Sequence, residues 1–231
     1  MILLAIDTSA IASAALIRFH ESSGSGAGGA AVLASFATED TRSHAEVLAP
    51  GIQTLLAEQG IAGREIARIL VGVGPGPFTG LRSGIATARA LAFAWNVPLD
   101  GVMSLDALAW DVVSDAQPGS EFVAAIDARR RELYWARYAA DGTLLDGPHV
   151  TAPDELPDLR VYGAGAGLYP AQLDDAGATV AEGFEAAQPT ASSLGLSAAA
   201  RLAAGGPLLD TTPLYLRESD AQVPGPRKRA L

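Results

Sequence analysis

The sequence predicts an α/β protein made of two related lobes, and three observations carry that reading. Two apolar strands end in aspartate at a constant offset of 120 residues, with Leu4-Ala5-Ile6-Asp7 falling on Ala124-Ala125-Ile126-Asp127. Each is followed by a turn and a second strand-like run. A hydrophobic content of 49% over 231 residues supplies core for one large domain or two small ones.

Taken in order, residues 2–7 form an apolar run closed by Asp7, 12–19 follow a short turn, and 31–38 come after the Gly/Ser stretch 22–29, which reads as a long flexible hairpin loop. Ser43 and Glu46 have capping-box spacing at the head of a helix over 43–59, in which Pro50 predicts a kink. Residues 68–73 read as a buried strand, 79–95 as a helix and 97–102 as a short strand, giving βββαβαβ. A helical stretch at 105–113 and the breaker Gln117-Pro118-Gly119 lead into strands at 122–127, 132–139, 144–150 and 160–163. The expected lobes are 1–104 and 105–231, with 190–217 expected to return to the first. A basic tail, 222–231, carries Arg227-Lys228-Arg229 after Pro224-Gly225-Pro226 and reads as solvated.

Composition removes much chemistry. A formal charge of −10 opposes unaided binding to a phosphate backbone. The absence of cysteine excludes disulfides, thiolate zinc sites, iron–sulfur clusters and cysteine nucleophiles. No apolar run approaches the ~18 residues of a membrane-spanning helix, so a cytoplasmic protein without a membrane partner is expected. The three histidines, His20, His44 and His149, form no HxxxH or HExxH pair, and there is no GxSxG elbow. Neither a metal site nor a catalytic residue is assigned.

Two segments bear on phosphate chemistry. Gly72-Val73-Gly74-Pro75-Gly76-Pro77-Phe78-Thr79-Gly80 joins a strand to a helix, the arrangement that presents amides to anions. Leu81 stands where a Walker loop needs lysine, Thr79 occupies the third glycine of a dinucleotide pattern, and two prolines remove donors. A structural tight turn with Thr79 as helix cap is the favoured reading over an anion cradle. Asp7-Thr8-Ser9 is similar to the first phosphate-binding turn of the actin, sugar-kinase and Hsp70 class, but Ala10-Ile11 replace the glycine that lets a nucleotide approach. A hydrogen-bonded strand end is favoured there.

The helices say more. At 100° per residue, Leu81, Gly84, Ile85, Ala88, Ala92 and Trp95 form one face of 79–95, and Arg82, Ala86, Arg89, Ala90 and Phe93 the other. In 43–59, Ala45, Leu48, Ile52, Leu55 and Leu56 face the core, with Val47, Gly51 and Thr54 opposite. Both back faces are more apolar than solvent requires, which points to association.

The segments ILLAIDTS, SHAEVLAP (43–50), GVGPGPFTGLRSGIATARALA (72–92), DARRRELYWARY (127–138) and PLYLR (213–217) together resemble the TsaB family, also called YeaZ. The resemblance implies two RNase H-like lobes of the actin-like ATPase and Hsp70 (ASKHA) superfamily, a duplicated βββαβα. It further implies a non-catalytic scaffold or dimerisation subunit needed for threonylcarbamoylation of adenosine beside the anticodon of ANN-decoding tRNAs. In that family TsaD holds the metal and transfers the group, TsaE is an ATPase of the larger complex, and tRNA is met only through the complex. The related TsaD pattern has a metal-binding histidine pair where this chain offers only His44. The helices 43–59 and 79–95 match those that pack on TsaD or on a second copy, so the implied interface is Val47, Gly51, Thr54, Arg82, Ala86, Arg89, Ala90 and Phe93, with no cofactor. The reading set against it is an active kinase or ATPase of the same superfamily, for which Gly163-Ala164-Gly165-Ala166-Gly167 is the adenosine candidate. Pro77, Ser83 and the long 22–29 loop depart from the family pattern.

Overall fold

The computed structural model describes residues 1–20, 29–39 and 44–217, with side chains of the first helix described from Glu46 onward. The 22–29 loop apart from Gly29, the Ser43 half of the capping box, the His44 side chain and the 222–231 tail lie outside the described residues.

Two five-stranded sheets carry the fold. The first contains β1 (Ile2–Asp7), β2 (Ser13–His20), β3 (Gly29–Ala37), β4 (Ile66–Gly72) and β5 (Leu99–Val102), in the order β3-β2-β1-β4-β5. The second contains β6 (Phe122–Asp127), β7 (Leu133–Tyr138), β8 (Leu144–Thr151), β9 (Arg160–Tyr162) and β10 (Thr179–Val180), in the order β10-β9-β6-β7-β8. β1 and β6 each lie at the centre, antiparallel to the next strand and parallel to the fourth of their lobe. The offset of 120 holds in register: Asp7 pairs with Ser13 and Asp127 with Leu133, Ile2 with Arg18 and Phe122 with Tyr138. The fold is therefore a duplicated, ASKHA-like α/β architecture.

Alternation along β1 sorts its side chains to two layers. Leu4 and Ile6 join Leu48, Ile52 and Leu55 of α1 (His44–Glu58) and Ile85, Ala88 and Ala92 of α2 (Phe78–Trp95). Leu3 and Ala5 face Ala191, Leu194 and Ala198 of α6 (Ala191–Ala203). In the second sheet Ala124 and Ile126 meet Leu105, Leu108 and Ala109 of α3 (Ser104–Asp111), while Val123 and Ala125 meet Ala166 of α4 (Ala164–Leu168) and Leu173 of α5 (Pro170–Asp175). The helix that follows the first sheet thus covers the second, and the helix that follows the second returns to cover the first.

These exchanged helices meet at the seam. Asp106 of α3, 5% exposed, accepts from Tyr138 Oη at 2.9 Å and Arg201 Nη2 at 2.9 Å, and Asp111 accepts from Ser193 Oγ at 2.6 Å. Burial pushes the Asp111 carboxyl up to about 6, against the Ser193 hydrogen bond and with help from Asp115. Burial also raises Asp106, with Arg201 pulling the other way.

Three local expectations change. Thr79 is not the cap of α2: the cap is Pro77, whose carbonyl accepts from Leu81 N at 3.1 Å, and Thr79 lies exposed in the first turn. The helix starts early because Pro77 already has its fixed φ and needs no donor. Between β8 and β9 the second lobe keeps only a 3-10 turn, Pro153–Glu155, in place of the first lobe's α1, since Pro153 and Pro157 interrupt any longer helix. The 105–113 helix ends at Asp111 and passes into a π-helical turn, Val112–Ala116.

Candidate functional site

The Asp7-Thr8-Ser9 turn is fully buried. Asp7 Oδ1 accepts from Ser9 N at 2.8 Å and Ser9 Oγ at 2.6 Å, and Oδ2 accepts from Ser104 Oγ at 2.6 Å. Thr8 Oγ1 donates to Gly80 O at 2.8 Å. The glycine-rich segment closes over this turn at contact distance. A Cβ on Gly72 would overlap Asp7 Oδ2 and stand 2.7 Å from Ser104 Oγ, one on Gly76 would stand 2.6 Å from Ser9 O, and one on Gly84 would overlap Thr8 Oγ1. Gly76 lets one backbone approach another, and Gly72 and Gly84 leave room for the Asp7, Ser104 and Thr8 side chains. The hydrogen-bonded strand end expected at Asp7 is present, as a packed joint between β1, β4 and α2.

The second-lobe counterpart is built differently. Asp127 Oδ1 accepts from Arg129 N at 2.7 Å and Oδ2 from Arg129 Nη1 at 3.0 Å. Arg129, Arg130 and Arg131 all have positive φ, at 62°, 56° and 64°. At roughly 1–2 kcal/mol per left-handed residue, the turn stores roughly 3–6 kcal/mol of strain. Its restraint comes from the far end of the chain: Arg217 Nη1 donates to Ala128 O at 2.8 Å, Nη2 to Arg129 O at 3.4 Å, and the guanidinium pairs with Glu132. The DARRRELY and PLYLR segments, 75 or more residues apart, are halves of one structure. Local sequence gave no signal for that.

Between the two turns lies a cleft of about 360 Å³, lined by Ser9, Ala10 and Pro77 from the first lobe and Asp127, Arg129 and Gln188 among others from the second. The adenosine candidate borders it through Ala164 and Gly167, beside Leu168 and Glu185. Gly163 and Gly165 are taken up by close packing on Ala125 and Ile126, and Gly167 on the Glu185 backbone. Among the described residues no group of three or more His, Asp or Glu side chains is placed to hold a metal ion. None of the helices among those residues is long and apolar enough to cross a membrane.

The outer face of α2 is a second kind of site. Arg82, Ala86, Arg89, Ala90 and Phe93 are all exposed, and Phe93 is 90% exposed. Residues 208–217 run beside this helix. Arg89 Nη2 donates to Thr211 O at 2.8 Å, Arg82 Nε donates to Tyr215 Oη at 3.2 Å, and the Arg82 guanidinium lies 3.5 Å from the Phe78 ring centre. Phe78 and Tyr215 contact ring to ring at 4.7 Å. On α1, Thr54 is exposed and Val47 half-buried. Gly51, expected on the same outer face, lies under the Phe36 ring: a Cβ there would stand 2.9 Å from Phe36 Cε2. Its missing side chain admits β3, and this position belongs to internal packing. Sequence reading missed Phe78 and Tyr215, because Tyr215 lies 137 residues from its ring partner.

The fold and its two lobes define a member of the ASKHA-like class whose first phosphate turn is filled by its own side chains. Comparison with known proteins narrows this. Residues 31–206 match the family model described as TsaD, tRNA N6-adenosine threonylcarbamoyltransferase. An uncharacterised protein of Mycobacterium tuberculosis is 41% identical over 70% of this chain and 71% of its own length. The Escherichia coli tRNA threonylcarbamoyladenosine biosynthesis protein TsaB is 37% identical over 43% of each chain. The solved structure of YeaZ from Pseudomonas aeruginosa superposes with a TM-score of 0.72 at 30% identity, covering 93% of this chain and 99% of that one. The chain belongs to the TsaB/YeaZ family.

Proposed function

We propose that this chain serves tRNA threonylcarbamoyladenosine formation as a non-catalytic subunit that holds the transferase TsaD through the outer face of α2. The observation that carries the reading is the contrast between its two candidate sites. The turn where an ASKHA enzyme would meet metal and phosphate is closed by Ser9, Ser104 and Gly72, whereas the α2 face exposes Phe93 and small residues on a helix with no acidic side chain. Family membership supports the pathway, and the exposed surface supports the role. Ala86 and Ala90 admit a partner helix at close range, and Arg82 and Arg89 ring the patch with positive charge. Burying Phe93 contributes about 1.5–3 kcal/mol, roughly ten- to a hundredfold in affinity. TsaE joins the larger complex, tRNA is met through it, and a second copy of the chain competes for the same face. A kinase or ATPase reading would require the Asp7 turn to open.

Ala90→Glu tests this. The side chain points to solvent, so the variant folds, but an unpaired carboxylate buried at the contact costs several kcal/mol, more than about a hundredfold in affinity. Calorimetric titration of TsaD into the variant should show no binding at concentrations that saturate the parent. Unchanged binding and unchanged self-association would remove α2 from the interface.

A further inference from the structure

We infer that the Arg129–Arg131 turn is an RNA-contacting element of the assembly, presenting guanidinium groups to the phosphate backbone; the inference rests on the tRNA-linked function proposed above. Three consecutive arginines are held in the left-handed region, where glycine or asparagine would sit without strain. A turn that needed only to reverse the chain between β6 and β7 would gain from glycine at each position. Instead, Asp127 fixes its start and Arg217 its carbonyls, so that Arg130 and Arg131 stand exposed on a rigid support. The planar geometry of guanidinium groups matches phosphate oxygens two at a time.

The turn itself, with three adjacent exposed arginines, favours an anionic partner, although Asp127 and Glu132 flank it. From the turn, Arg217 leads back through the extended segment to Tyr215, which touches Arg82 and Phe78, and Arg89 follows two turns along α2. Arg82 and Arg89 belong to the face assigned to TsaD, so the cationic groups left for RNA are those of the turn at the cleft rim, on a chain whose formal charge is −10. That overall charge opposes RNA binding by the chain alone, which is why the contact is assigned to the assembly, where the partner shares the binding. An acidic protein surface is the competing partner for such a turn, and the test separates the two.

The experiment uses the full chain assembled with TsaD and a fluorescently labelled transcript of an ANN-decoding tRNA, with dissociation constants measured across a salt series. The variant Arg130→Gly/Arg131→Gly relieves the backbone while removing both charges, so it should melt no lower than the parent and keep TsaD. Each lost phosphate contact lowers the slope of log K against log salt by about 0.7–0.9, so the pair should lower it by about 1.5 and weaken RNA binding at least about tenfold at 0.1 M salt. Arg130→Lys/Arg131→Lys, which keeps the charge, should recover most of that loss. An unchanged slope in the glycine pair overturns the proposal, as does a parent assembly that binds no RNA. Loss of TsaD binding in its place also overturns it, since the turn would then meet protein. A parent assembly that binds RNA without modifying it counts against the functional reading, while the slopes still decide this one.

Discussion

Gly84→Ala is a substitution that helix propensity alone predicts to be stabilising. Replacing glycine by alanine inside α2 gains about 1 kcal/mol from propensity. At this position the new methyl would overlap Thr8 Oγ1 and come within 3.2 Å of Thr8 Cγ2. Thr8 is buried and donates to Gly80 O, so it has no room to turn away without abandoning that bond. Losing the bond and leaving a buried hydroxyl donor without a partner costs about 1–3 kcal/mol, and overpacking a further 1–3 kcal/mol. The net is a loss of roughly 1–5 kcal/mol, or roughly 2–20 °C in melting temperature for a chain of this size. Urea unfolding of Gly84→Ala and of Thr8→Ala/Gly84→Ala checks the cause: removing the hydroxyl should restore much of the loss, giving a coupling above about 1 kcal/mol. A Gly84→Ala protein as stable as the parent would refute the close contact between the glycine segment and the Asp7 turn.

Two further outcomes follow from the seam and from Arg217. Asp111 has a folded pKa of about 6, above its ordinary value of 3.8, so the folded state holds the extra proton between those values and stability falls as pH rises from about 4 to 6. Because the group is partly exposed, screening reduces the effect to roughly 1–2 kcal/mol. Asp111→Asn, which keeps a partner for Ser193, should flatten that window in pH-dependent unfolding and stabilise the protein at pH 7; a pH profile identical to the parent's would contradict it. Arg217→Ala removes the hydrogen bond to Ala128 O and the pairing with Glu132, with an expected loss of roughly 2 kcal/mol and faster hydrogen exchange at residues 128–132. Exchange unchanged in that turn would show that the strain is restrained elsewhere.

Much of the fold is legible in the sequence because it is written in local periodicity. Strands ending at Asp7 and Asp127, and the apolar stripe Leu81, Ile85, Ala88 and Ala92, follow from spacing alone. The start of α2 is not legible, since Pro77 caps it without a side-chain oxygen. Gly51 is legible as lying opposite the core stripe of α1, but Phe36 covers it from another strand. The Asp7 turn shows the same division. Its lack of glycine argues against nucleotide, but its closure by Ser104 depends on a residue 97 positions away.

Threonylcarbamoyl transfer to an ANN-decoding tRNA, reconstituted from TsaD, TsaE, the threonylcarbamoyl adenylate and this chain, tests the central claim most directly. The chain alone should transfer nothing, its addition should restore transfer by TsaD, and Ala90→Glu should abolish that restoration while keeping the parent's circular dichroism. Transfer by the purified chain without TsaD, or full restoration by a folded Ala90→Glu protein, would contradict the account.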